Sequence, residues 1–273
     1  MKANSLLYLH KKTLSSNEIK NDVDFLLDLL YQEGSKRKRW TTYLNENDGT
    51  FEDENLHSHG VLMEYLAYRE TMVEGLSEEK ALFLMWAARF HKLGDLKDGD
   101  VAYNLKTEDD RKEKAEYVRK HIHSKLESDY ARNMLEKVLA ISLDRKNLTD
   151  DTFDYVGFFD SLKCRGQINI ALKMIQHKSI SQWDVLAANV FFNQIVPLVE
   201  HGKKYRSVRV YLQKNAKLIT YGLENHVTHE NVRLGFEKIY GQANFEENKK
   251  FLDISPEKVA QIKSVWLTFV EQN

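Results

Sequence analysis

Ala81-Leu82-Phe83-Leu84-Met85-Trp86-Ala87-Ala88 is the stretch that decides the fold. Its side chains are apolar at every angle of a helical wheel, so a helix built from them belongs in the middle of a bundle. Ser77 is a suitable N-cap, and Glu78 and Glu79 suit the positive end of the helix dipole. On either side the apolar spacing stays helical. Val23, Leu26, Leu27 and Leu30 recur at steps of three and four, as do Val61, Leu62, Tyr65, Leu66 and Tyr68. Further helices are expected at about 108–126, 128–142, 151–174, 181–200, 206–223, 229–240 and 256–271. The heavily charged 108–126 pattern reads as a solvated helix. Only two prolines interrupt the 273 residues, and no alternating strand pattern of any length occurs. The expected fold class is all-α. Loops are expected at 40–56 and from Leu93-Gly94-Asp95 to about Lys106.

Composition narrows the function classes. There are 40 Lys and Arg against 41 Asp and Glu, a net charge of −1, which gives no whole-molecule attraction to nucleic acid or anionic membrane. No apolar run approaches the roughly 18 residues that span a bilayer, so no membrane contact is expected. The single cysteine, Cys164, excludes an internal disulfide framework and fits a reducing, cytoplasmic compartment. It reads as a small buried hydrophobe. Neither a phosphate-binding Walker loop nor a Gly-x-Gly-x-x-Gly run is present.

Ten histidines direct attention to metal and acid–base chemistry. His91 closes the apolar helix, and Asp95 and Asp100 follow within nine residues. His57-Ser58-His59 opens the preceding helix. Two packed helices would bring imidazoles together, and two imidazoles with a carboxylate form a common divalent-metal set. The plainer alternative is that His57 and His59 cap a helix and that His91 is a satisfied core histidine.

The run His91-Lys92-Leu93-Gly94-Asp95, followed by Gly99-Asp100 and Lys106, resembles the centre of an HD-superfamily phosphohydrolase, in particular the bacterial 5′-deoxynucleotidase branch. That branch reads His-Asp-x-x-Glu-x-x-x-Gly-Asp-x-Pro-x-Pro-x-Lys, and the spacing of His91, Asp95, Gly99, Asp100 and Lys106 agrees at each step, although both prolines are absent. Arg39-Trp40 resembles the branch's Arg-Trp pair, His57-Ser58 its His-Ser opening, and Phe158-Phe159-Asp160-Ser161-Leu162 the late segment that supplies the last carboxylate. Phe192 to Pro197 sits where the final core helix would lie. The resemblance covers about residues 35–200. It implies an HD-type helical bundle over 35–200, an N-terminal helical segment 1–34, and a helical extension 201–273 packed on the bundle or at a homodimer contact.

It also implies a reaction. A divalent metal (Mn, Co, Zn or Mg), held by His57, His91 and Asp160, would bind the phosphate of a (deoxy)nucleoside 5′-monophosphate or another phosphorylated small molecule and activate water. Asp95 and Asp100 would serve as catalytic acid–base groups. Arg39 would clamp phosphate, Trp40 would pack near the sugar, and Lys106 would add positive charge. Asp95 is one methylene shorter than the Glu of the branch, a displacement that can cost about two orders of magnitude in rate.

Lys92 departs from this pattern. It stands where the His-Asp pair has its metal-binding Asp, and an ammonium has no lone pair to give. Either His57, His91 and Asp160 hold the metal more weakly without a fourth ligand, or the Lys92 ammonium occupies the metal's place, paired with Asp160 and Asp95. A third alternative points Lys92 into solvent at the helix end. In the second case the metal is lost, and the protein binds a nucleotide or partner without hydrolysis.

Other signals are weaker. The basic clusters Ser35–Arg39 and Lys203–Arg209 read as solvated faces on a chain without net positive charge, which argues against nucleic acid as a partner. His121 and His123 read as surface residues. His226 and His229 are three apart and could share a face, with no carboxylate partner evident in the sequence.

Overall fold

Residues 16–37, 55–99, 107–149, 152–176, 181–240, 245 and 252–272 are described by the computed structural model. Among them every regular element is helical and no β-strand occurs, so the protein is all-α. The helices are α1 (Asn17–Gln32), α2 (Leu56–Glu74), α3 (Glu78–Phe90), α4 (Asp95–Asp98), α5 (Glu108–His121), α6 (Asp129–Ser142), α7 (Tyr155–Gln176), α8 (Ser181–Lys204), α9 (Arg206–Asn225), α10 (His229–Tyr240) and α11 (Pro256–Gln272). Short 3-10 turns cover Gly34–Lys36 and His123–Lys125.

The helix ends follow capping chemistry. Asn55 caps α2: its side chain accepts from Ser58 N at 2.9 Å, while Ser58 Oγ accepts from Asn55 N at 3.0 Å. Gly75 ends that helix in the left-handed region, at φ 69°, a conformation that costs glycine nothing. Ser77 caps α3 as expected, accepting from Lys80 N at 3.4 Å. Thr107 and Asp110 form a second capping box at the start of α5.

The chain divides into two compact units, residues 1–159 and 160–273, with the boundary inside α7. In the first unit α2 packs along α3, α3 packs on α6, α1 meets α6 and α2, and α4 lies on α5. The apolar octet forms the inner part of α3, with Phe83 to Ala88 all buried. Side chains such as Phe90 and Leu84 contribute about 1.5–3 kcal/mol each through burial. Asp22 ties α1 to the start of α6. Its carboxylate accepts from Glu127 N at 2.8 Å, Ser128 N at 2.8 Å and Ser128 Oγ at 2.6 Å.

In the second unit α8 is the hub, contacted by α9, α10 and α11, while α9 also packs on α11. Residues 181–204 therefore share a compact unit with the helices that follow them. Buried Arg165 stacks on the Tyr211 ring at 4.4 Å, and Tyr211 Oη donates to Asn169 Oδ1 at 2.7 Å. Burial pushes the Tyr211 hydroxyl well above the usual tyrosine range, against the opposing pull of Arg165.

Two local expectations need adjustment. The loop from Leu93 contains a helical turn at Asp95–Asp98, closed by Gly99 at φ 92°. The charged helix α5 is not wholly solvated, because it buries Lys114, Ala115 and Val118. The expected 40–56 loop lies outside the described residues except for Asn55 and Leu56. No described helix is long and apolar enough to cross a membrane.

Candidate functional site

Three pieces of the first unit converge around the end of α3. Leu56 N donates to Arg37 O at 3.2 Å, joining the 3-10 turn to the start of α2. Arg37 Nη2 donates to Leu96 O at 3.2 Å, which brings Arg37 against α4. Gly60 brings α2 against α3 so closely that an added Cβ would lie 2.9 Å from Arg89 O. His57, His59, Arg89, His91 and Asp95 are all buried.

His57 faces Arg89. Its Nδ1 lies 3.3 Å from Arg89 Nη2, and Arg89 Nη1 donates to His57 O at 3.4 Å. A guanidinium only donates, so Nδ1 accepts and the proton of the neutral ring sits on Nε2. Burial, followed by the charge of Arg89, lowers the His57 pKa to about 4, so the ring is neutral at pH 7. Neither nitrogen then offers a lone pair to a metal. Arg89 is balanced on its other side by Glu64, with Nε 3.8 Å from Oε2, both side chains being buried.

His91 is arranged differently. Its Nδ1 lies 2.9 Å from Ala88 O, and because a carbonyl only accepts, Nδ1 carries the proton. The basic lone pair of the neutral ring is on Nε2. The His91 ring meets His59 with centroids 5.3 Å apart and Phe159 at 5.4 Å. Thus His59, rather than His57, is the histidine whose ring meets that of His91.

Lys92 is turned inward, its side chain 12% exposed, and its Nζ lies 2.9 Å from Asp95 Oδ2. The other oxygen of Asp95 accepts from the Nζ of buried Lys114, which also donates to Gly99 O at 3.2 Å. The Asp95 carboxylate is thus held between two ammonium groups. Of the alternatives for Lys92, the pairing with Asp95 is the one observed and the solvent-facing one is not. Asp160 opens the second unit, its Oδ1 2.7 Å from Lys163 Nζ on the same helix. Arg39, Trp40, Asp100 and Lys106 lie outside the described residues.

A metal centre needs convergent donors, and among the described residues no group of three or more His, Cys, Asp or Glu side chains is placed to hold an ion. The His57 tautomer and the two ammonium groups on Asp95 work against a metal here for the same reason: the lone pairs already face cations. Of the ligands that the resemblance implies, His57 as it is held here offers no lone pair to a metal.

Sequence reasoning missed Arg89, Glu64 and Lys114 as parts of this site, and it preferred His57 to His59 as the residue facing His91. Arg89 left a signal, being the one charged residue between Lys80 and His91 on the buried helix. A charge there must find a partner on a neighbouring helix. No protein-family model matches the chain, and no curated protein or solved structure is significantly similar to it.

Proposed function

We propose that this protein binds a phosphorylated small molecule, such as a nucleoside 5′-monophosphate, at an HD-like site without a metal and without hydrolysing it. The observation that supports this reading is the inward Lys92, paired with Asp95 at 2.9 Å. Lys92 supplies positive charge at the position where the resembled family places a metal ligand. Lys114 pairs with the same carboxylate, and Arg37 stands against the same short helix. A phosphate can take over part of the role of Asp95 towards these cations, since charge-assisted bonds to phosphate are as favourable as those to carboxylate. The test is calorimetric titration of the full chain with deoxynucleoside 5′-monophosphates in EDTA, paired with a phosphate-release assay. Binding in EDTA, weakened by Lys92→Met, and no phosphate release are expected. Absence of binding in EDTA overturns the reading.

A second reading, the metal-dependent phosphohydrolase, rests on the His59–His91 ring pair with the basic Nε2 of His91. It predicts phosphate release with Mn²⁺, Co²⁺ or Zn²⁺ that is abolished by His91→Ala. Elemental analysis of protein purified without added metal separates the two readings.

A further inference from the structure

The second unit carries an apolar surface that the ligand site does not use. Leu218 and Tyr221 on α9 are 41% and 51% exposed, and Leu267 and Val270 on α11 are 45% and 38% exposed. These two helices pack on each other, and two contacts fix their relative direction. Trp266 Nε1 donates to Thr220 Oγ1 at 2.9 Å, while Phe269 and Leu212 both close on Gly202. Moving forward along α11 therefore moves backward along α9, so the helices are antiparallel. Tyr221 is one residue past Thr220, and Leu267 is one residue past Trp266. Each such step turns a helix by about 100° in the same sense, and antiparallel helices turned in the same sense expose the same side. The four side chains thus form one patch. Monomeric proteins seldom leave a contiguous apolar patch of this kind open to water.

The charges around the patch show what fits it. Lys214 and Lys217 are exposed on α9 before Leu218, and Glu224 follows Tyr221. On α11, counting from the Trp266–Thr220 contact, Glu271 stands at the level of Lys214, and Lys263 at the level of Glu224. The surface is therefore self-complementary. A two-fold axis parallel to the helices lays α9 of one copy on α11 of another. That operation keeps each residue's level while exchanging the helices. It sets Lys214 and Lys217 against Glu271, and Glu224 against Lys263, around a centre made by Leu218, Tyr221, Leu267 and Val270. Repetition of one patch on both partners is what a two-fold interface requires, and an apolar centre with a charged rim is its usual composition.

We infer that the α9–α11 face is the contact of a homodimer, with a second copy of this chain as its occupant. The inference stands independently of the function proposed above for the first unit. The test is sedimentation equilibrium of the full chain, with far-UV circular dichroism and thermal melting as checks on folding. At about 100 µM, where a micromolar Kd leaves most chains paired, twice the 32.0 kDa chain mass is expected. Tyr221→Glu and Leu267→Glu, both at exposed positions, should each weaken association at least tenfold with the helix signal and melting temperature retained. The pair Lys214→Glu and Lys217→Glu should weaken it too, and adding Glu271→Lys to that chain should restore it. A monomer at that concentration overturns the inference. So does a dimer that these substitutions leave unchanged, or a charge exchange that fails to restore pairing.

Discussion

Asp95 shows how a single residue divides the two functional readings. Its carboxylate lies between Lys92 and Lys114, with its own side chain and that of Lys114 almost fully buried. Asp95→Asn would leave two ammonium groups facing a neutral amide. Removing one partner from a buried ion pair costs about 3–5 kcal/mol, because the remaining charge is left uncompensated. Urea unfolding should record a loss of that order, and adding Lys114→Met should recover part of it by removing a stranded cation. The ligand should respond in the opposite direction. If Lys92 binds phosphate, the substitution removes the carboxylate that competes for it, and calorimetry should show tighter binding of a nucleoside monophosphate. If Asp95 is a catalytic acid, the same change removes turnover without tightening binding. Sequence made Asp95 and Lys92 visible as neighbours in a motif. It did not reveal Lys114, 19 residues further on, because that pairing depends on how α5 lies against α4.

At the scale of the element, the α2–α3 crossing governs the site. Gly60 is the point of closest approach, and the atom an added Cβ would meet at 2.9 Å is the Arg89 carbonyl oxygen, a backbone atom that cannot rotate away. Gly60→Ala should force the helices apart and cost about 1–3 kcal/mol, the usual range for overpacking. Thermal melting would record that cost. Chemical shifts of the His57 and His91 rings should move as well, since the Arg89–His57 contact crosses the same seam. The helices themselves were readable: Ser77, the spacing 23–26–27–30 and the long runs after residue 128 announce elements at the places where α1, α3 and α6 to α11 are found. Their boundaries follow from caps and apolar period, which are local properties. The choice between His57 and His59 was not local. Two residues apart on a helix, they face different sides, and only the crossing with α3 determines which ring meets His91.

For the whole molecule, the histidine held neutral beside an arginine links this site to global stability. Folding lowers the His57 pKa from 6.5 to about 4, through burial first and the charge of Arg89 second. Below pH 6.5 the unfolded chain takes up a proton on this ring that the folded chain refuses. Between those two values the unfolded state binds more protons, so unfolding free energy rises with pH and is lost as the solution is acidified. Above pH 6.5 both states are neutral at this ring and the contribution is flat. Below about 4 both are protonated and the loss levels off. Carboxylates add their own acid sensitivity, so a control chain is needed. His57→Gln keeps a polar side chain at the position and removes the titration. Urea midpoints measured across the window from pH 7 to pH 4 should fall more steeply for the native chain than for His57→Gln, and the two profiles should run parallel above pH 6.5. Parallel profiles throughout would mean that His57 gains its proton as readily in the folded chain as in the unfolded one, and that burial beside Arg89 does not hold the ring neutral.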